Sequence, residues 1–239
     1  MMIRYGYRLF VFLLLPLTCL AEEAPELNAD PHYNALGFFD VHLCNWPERP
    51  NFFKVLFSTE HYTEVENMAV YTPENKLLVM LDRTKFMRIK SSSGADKRVY
   101  MLDIDAPEPF ATGWYSIDVT TTTGKHYRAR DYVVKTRLER ATALQPDDEQ
   151  AVSLPVTLRW KAVPGAVFYQ AFVRDEWSGK LVYKSKLLNR PEVALPQNKL
   201  EPGGYYSWSV HSRDTNGHIL LGDFHMGSMS RKAYFTVVE

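Results

Sequence analysis

The sequence predicts an all-β protein built as two β-sandwich domains in tandem after a signal peptide. The first observation is that apolar residues alternate with polar ones at the period of two that is typical of strands. Between Trp114 and Thr120, for example, Tyr115, Ile117 and Val119 fall on one face of a strand, and polar residues fall on the other. The second observation is that turn signals rich in Gly, Pro, Asn and Ser separate these short runs.

The first 21 residues have the pattern of a secretory signal peptide. Arg4 and Arg8 form a basic start, Leu9–Leu20 is apolar, and cleavage is expected after Ala21. The apolar run is shorter than the roughly 20 residues that span a bilayer. We therefore expect a protein of the bacterial envelope that is periplasmic or secreted and has no transmembrane segment in its mature chain.

The two cysteines give two further expectations. Lipid attachment at Cys19 is less favoured than cleavage, because Thr18 stands where a lipobox usually has Gly or Ala. Cleavage would leave Cys44 alone, so no intramolecular disulfide would form and the core would have to hold the fold. We expect Cys44 to be buried in a strand, and pairing with another chain is the alternative.

Composition and motifs argue against several function classes. The chain has 28 basic and 28 acidic residues and no basic stripe, so nucleic-acid binding is not expected. The sequence has no Gly-rich phosphate loop, no G-x-S-x-G elbow, and no H-E-x-x-H or C-x-x-C pair. We therefore expect no catalytic residues, no cofactor and no metal.

The chain divides into segments by composition. Residues 22–36 are expected to be an exposed leader, and residues 145–151 an acidic, polar linker. Between them, residues 37–144 contain about seven or eight short strands, the number expected of an immunoglobulin-like sandwich. The predicted strands are 38–43, 52–58, 65–71, 76–81, 99–104, 114–120, 125–130 and 132–136.

Residues 152–239 carry more specific motifs. Trp160 lies in a strand before the turn at Pro164-Gly165, and the run Pro202-Gly203-Gly204-Tyr-Tyr206-Ser-Trp208 leads into a later strand. These features resemble the fibronectin type III family. The resemblance implies a β-sandwich in which Trp160 fills the space between two sheets, and the hydroxyl of Tyr206 bonds the backbone upstream. It implies little about function, because this architecture serves many functions.

The connection 213–230 is longer than a usual hairpin and contains His218, Phe224 and His225. Long ordered loops are often functional, but a small extra hairpin covering an open sheet end is an equal alternative. His211, His218 and His225 are spaced by seven residues. They would form a metal site only if all three converged, and three separate exposed histidines are the favoured interpretation.

Aromatic residues in predicted loops are the other candidates for binding. Trp177 is expected at a hairpin tip, and Trp46 precedes a rigid segment that starts at Pro47. The favoured function is a non-catalytic binding or assembly protein that contacts an envelope protein through loops or through an exposed sheet edge. The first alternative is a carbohydrate-binding module for cell-wall or exported polysaccharide. The second is an enzyme or metal protein that uses the histidine loop.

Overall fold

The computed structural model describes residues 30–49, 51–90, 94–106, 109–134, 138–215 and 224–238. The predicted signal peptide, Cys19 and His218 lie outside the described residues.

The first half contains nine strands in two sheets. Their bounds are β1 (Tyr33–Asn34), β2 (Gly37–Asn45), β3 (Phe52–Thr59), β4 (Val65–Tyr71), β5 (Leu77–Met80), β6 (Met87–Lys90), β7 (Asp96–Asp105), β8 (Gly113–Thr121) and β9 (His126–Val133). One sheet has the order β2–β3–β7–β6 with β1 beside β2, and the other has the order β5–β4–β8–β9. This is the strand order of a seven-stranded immunoglobulin-like sandwich with two additional edge strands, β1 and β5.

The second half repeats this kind of arrangement. Its strands are β10 (Gln150–Val152), β11 (Thr157–Arg159), β12 (Phe168–Asp175), β13 (Leu181–Lys184), β14 (Glu192–Ala194), β15 (Tyr205–Arg213), β16 (Met226–Met229) and β17 (Ala233–Val237), with a 3₁₀ turn at Gln197–Lys199. Strands β11 and β14 form one sheet, and β10, β17, β15, β12 and β13 lie in the other. The predicted all-β fold with a fibronectin-like or immunoglobulin-like sandwich is confirmed.

The predicted inter-sheet tryptophan packs as the resemblance implies. Trp160 is buried, and its ring centroid lies 5.4 Å from that of Tyr169 and 6.1 Å from that of Trp208. The indole N–H of Trp208 donates a hydrogen bond to the Pro146 carbonyl at 2.8 Å. These rings fill the space between the two sheets of the second half.

Tyr206 forms the tyrosine corner that the resemblance implies. Its hydroxyl accepts a hydrogen bond from the backbone N–H of Glu201 at 2.9 Å. Gly204 makes room for the ring, since a Cβ at that position would lie 2.5 Å from the hydroxyl oxygen. The corner therefore fixes the turn that leads into β15.

We expect the substitution Tyr206→Phe to lower the free energy of unfolding by about 1 kcal/mol, because the Glu201 N–H loses its partner. Urea unfolding followed by circular dichroism measures this loss. The matched control is Tyr205→Phe, which removes an exposed hydroxyl that donates to Glu149 at 3.2 Å. An equal loss in both variants would contradict a special role for the corner.

Strand β16 joins the two halves into one eleven-stranded sheet. It pairs antiparallel with the end of β15 and parallel with β2, where Gly227 lies opposite Cys44. Of the two alternatives for 213–230, a long loop or a small extra hairpin, the strand Met226–Met229 that pairs antiparallel with β15 agrees with the hairpin. The small residues Gly227 and Ser228 obscure the strand pattern there, although they allow close packing against both neighbouring strands.

The segment that connects the two halves packs behind this junction. The side-chain amide of Asn45 donates to the Leu138 carbonyl at 3.1 Å, and the Ser228 hydroxyl donates to the Glu139 carbonyl at 2.8 Å. Each half thus contributes one side chain that holds the connecting segment in place.

Residues at both predicted boundaries take part in the fold. In the predicted linker, Gln145 forms an isolated antiparallel β-bridge with Arg159. Strand β10 starts at Gln150 and pairs with β17. In the predicted leader, the ring of His32 is buried and lies 2.9 Å from a carboxylate oxygen of Asp131. The described end of the leader thus packs partly on the first half, while Tyr33 and Ala35 are exposed. The division of the chain at 145–151 stays a prediction.

Within the described residues, no helix is long and apolar enough to cross a membrane.

Candidate functional site

Strand β2 places a row of polar side chains on the outer face of the large sheet. Phe39, Val41 and Leu43 of this strand point into the core of the first half. Because side chains alternate along a strand, Asp40, His42 and Cys44 point to the opposite face. All three are nevertheless buried. The outer face of β2 is therefore covered at the junction between the halves.

Phe224 lies between two histidines from the two halves. Its ring centroid lies 4.2 Å from that of His42 and 5.5 Å from that of His211. The guanidinium of Arg213 lies 4.9 Å from the Phe224 ring centroid. We call Asp40, His42, Phe224, His211 and Arg213 the junction cluster.

Hydrogen bonds fix the rest of the cluster. Arg213 donates from Nε to Nδ1 of His211 at 3.1 Å and from Nη2 to the side-chain oxygen of Gln170 at 2.9 Å. Nδ1 of His211 must therefore be unprotonated. The other ring nitrogen, Nε2, is buried without a hydrogen-bond partner among the described residues. A Cβ at Gly227 would lie 2.2 Å from this Nε2, so glycine is the residue that fits there.

The two histidines have opposite protonation states at neutral pH. Burial disfavours the charged form of His42, but the charge and hydrogen bond of Asp40, with a smaller contribution from Cys44, raise its pKa to about 10. Burial, followed by the positive charge of Arg213, lowers the pKa of His211 well below its usual value. The cluster thus contains a protonated His42 beside Asp40 and a neutral His211.

Three of the five predicted site residues lie at or beside this junction. Phe224 is buried within the cluster, and the adjacent His225 donates from Nδ1 to the Tyr132 carbonyl at 2.5 Å. Trp46 is half-buried and packs edge-on against Phe52, with ring centroids 5.3 Å apart. The Lys54 ammonium lies 5.5 Å from the Trp46 ring centroid. The three side chains thus make contacts within the protein, and a binding role for them stays a prediction. His218 lies outside the described residues.

Trp177 occupies a different place, at the turn between β12 and β13, and its side chain is 79% exposed. The carboxylate of Asp175 accepts hydrogen bonds from the backbone N–H and the hydroxyl of Ser178, at 2.6 and 2.7 Å. These bonds lower the pKa of Asp175. Arg174 donates to the Gly179 carbonyl at 2.5 Å. The turn that carries Trp177 is therefore held in a defined conformation.

A shallow concavity of about 360 Å³ lies on the outer face of the second half. It combines apolar and basic side chains, including Phe172, Arg174, Leu181, Met229 and Lys232. Apolar residues with a few charged ones are typical of surfaces that bind other molecules.

The histidine-loop hypothesis gains no support from the described residues, which include no group of three His, Cys, Asp or Glu side chains placed to hold a metal ion. His211 is buried, contrary to the expectation that it is exposed. Phe110 is also buried, and its ring centroid lies 5.3 Å from that of Phe53.

Sequence reasoning missed the His42–Asp40 pair. The available signal was the alternation Asp40-Val-His42-Leu-Cys44, which places polar side chains on one face of an otherwise apolar strand. That pattern is typical of a strand with one face exposed to solvent. Only the fold shows that the face is covered, because the Phe224 ring lies 4.2 Å from that of His42, centroid to centroid.

The chain matches no family model, and no curated protein has a significantly similar sequence. Among solved structures, the FN1-FN3 domains of chicken CNTN1 share 12% identity over 84% of this chain and 66% of that one, with a TM-score of 0.38. A tetra-tandem repeat from the extending region of a large adhesion protein shares 10% identity over 82% of this chain and 49% of that one, with a TM-score of 0.27. A β-1,2-glucanase from Parabacteroides distasonis shares 10% identity over 79% of this chain and 33% of that one, with a TM-score of 0.30. This chain spans only part of each of these structures, and scores this low give no basis for assigning its function.

Proposed function

We propose that the protein is a non-catalytic binding or assembly protein of the bacterial envelope that acts through protein–protein contacts. The observation that carries this proposal is the exposure of Trp177 on a fixed turn. Tryptophan is among the residues that contribute most to binding energy at protein interfaces, because its large ring is removed from water when a partner covers it. A turn held by internal hydrogen bonds reduces the entropy lost on binding.

The continuous sheet supports the same proposal. Because β16 pairs with strands of both halves, the halves can present their surfaces in one fixed relation. A preorganised surface of this kind suits an assembly protein better than a flexible pair of modules would.

The carbohydrate alternative receives less support. Stacking of a polysaccharide needs exposed aromatic rings that lie side by side. Among the described tryptophans, the two exposed ones are Trp114 on β8 of the first half and Trp177 on the second half. Trp114 is also stacked by Arg130, whose guanidinium lies 4.6 Å from its ring centroid.

Affinity capture tests the proposal. Purified residues 22–239 would be immobilised and exposed to envelope extract from the source organism, and retained material identified by mass spectrometry. We expect one protein or complex to be retained, and its affinity to fall at least about tenfold in Trp177→Ala. The matched control is Trp114→Ala, which removes an exposed tryptophan elsewhere. Retention of glycan without protein would contradict the proposal and favour the carbohydrate module.

A further inference from the structure

Strand β6 is a free edge of the large sheet in the described chain. All four of its residues are exposed, and the apolar side chains Met87 and Ile89 are 49% and 45% exposed. An edge strand presents unpaired backbone N–H and C=O groups that can accept another strand. The edge thus offers backbone hydrogen bonds together with apolar surface.

The surroundings of this edge are strongly basic, although the whole chain is neutral. Residues 76–98 include seven basic side chains and two acidic ones. Both of these acidic groups already form ion pairs. The Lys85 ammonium lies 3.7 Å from a carboxylate oxygen of Asp82, and the Lys90 ammonium lies 2.8 Å from one of Asp96. The basic residues are spread over several short segments, so the sequence shows no continuous basic stripe.

Three further cations lie beside the edge, and one of them, Arg88, contributes to the lowered pKa of Asp96. Arg88 lies directly opposite Arg98 on β7, and Lys97 lies opposite Ile89. None of these three basic side chains forms an ion pair with a described residue. Like charges directly opposite one another on a sheet are unfavourable. An anion bound at this position would relieve the repulsion.

Arg98 is held in place by aromatic rings. Its guanidinium lies 4.1 Å from the ring centroid of Tyr62 and 4.0 Å from that of Phe86. Stacking of this kind leaves the edges of the guanidinium free to donate to a carboxylate. The edge therefore carries a cation that is positioned before any partner arrives.

We propose that the β6 edge binds an extended acidic segment of a partner protein as an added strand. Backbone hydrogen bonds would join the segment to β6, acidic side chains would face Arg88 and Arg98, and small apolar side chains would cover Met87 and Ile89. The same positive charge disfavours edge-to-edge pairing with a second copy of this chain. This inference rests on the proposed protein-binding function and names a surface and a partner chemistry for it.

A synthetic probe tests the proposal directly. The probe is a fluorescent, end-blocked heptapeptide of alternating Glu and Val, titrated into the mature chain at low salt and followed by fluorescence anisotropy. We expect saturable binding, slower hydrogen exchange at the β6 amides, and about tenfold weaker binding to Arg88→Glu. The control variant Lys125→Glu makes the same charge change at the β8–β9 turn and should bind as the wild type does.

Peptide controls separate strand addition from simple charge attraction. A Lys-Val peptide should not bind, and a Glu-Val peptide with N-methylated alternate amides should lose binding, because it cannot complete the backbone ladder. Absence of binding, equal binding to Arg88→Glu, or binding of phosphatidylglycerol vesicles in place of the peptide would each overturn the proposal.

Envelope capture distinguishes this failure from failure of the proposed function. If Trp177→Ala weakens capture but Arg88→Glu leaves both capture and peptide binding unchanged, the edge proposal fails and the protein-binding function stands. If the wild-type chain captures no protein at all, the proposed function fails, and the edge proposal that rests on it fails too.

Discussion

The substitution Trp208→Ala is expected to lower the free energy of unfolding by about 3–5 kcal/mol. The side chain of Trp208 is only 1% exposed and packs beside Trp160 between the two sheets of the second half. Its removal leaves a cavity that neighbouring strands cannot close without breaking their pairing. It also leaves the Pro146 carbonyl without its indole donor. Urea unfolding followed by circular dichroism gives the size of the loss.

The variant Trp208→Phe separates the two contributions. Phenylalanine keeps most of the apolar contact but cannot donate to Pro146, so we expect a loss of about 1–3 kcal/mol. A loss below about 1 kcal/mol in Trp208→Ala would mean that the second sandwich does not depend on this ring. That result would contradict the packing described for its core.

The resemblance to fibronectin type III predicted this part of the fold because its motifs are local. A buried tryptophan, a Pro-Gly-Gly turn and a tyrosine two residues before another tryptophan each impose their own geometry. In the first half, strand periodicity alone located β2, β3, β4, β5, β7 and β8 closely. Its two last predicted strands, 125–130 and 132–136, form the single strand β9 in the described residues.

The features that the sequence did not predict depend on distant pairing. Strand β6 was missed because all four of its residues are exposed, so its apolar residues do not mark one buried face. The small extra hairpin considered for 213–230 could not be given strand bounds, because β16 is short and contains Gly227 and Ser228. The junction cluster was missed because Asp40 and His42 come from β2 in the first half, whereas His211, Arg213 and Phe224 come from the second half. Of the candidate site residues, Trp177 was placed correctly at an exposed turn by its Ser-Gly neighbours.

Loss of the His42 side chain is the second large effect that we expect. The substitution His42→Leu should lower the free energy of unfolding by about 3 kcal/mol, because the buried carboxylate of Asp40 loses its charged partner 2.9 Å away. The double variant Asp40→Leu with His42→Leu should recover much of this loss, since no unpaired charge remains in the junction. Equal stability of the wild type and His42→Leu would show that the pair contributes nothing to the joining of the halves.

The pH dependence of the same variant gives an independent check. The pKa of His42 is raised from about 6.5 in the unfolded chain to about 10 in the folded protein. Its stabilising contribution is therefore fully present below pH 6.5 and is lost as the pH rises towards 10. The difference in unfolding free energy between the wild type and His42→Leu should shrink across this window. His211 acts in the opposite sense, because its lowered pKa destabilises the folded state as the pH falls below 6.5. A difference that stays constant from pH 6.5 to 10 would mean that His42 is not charged in the folded protein.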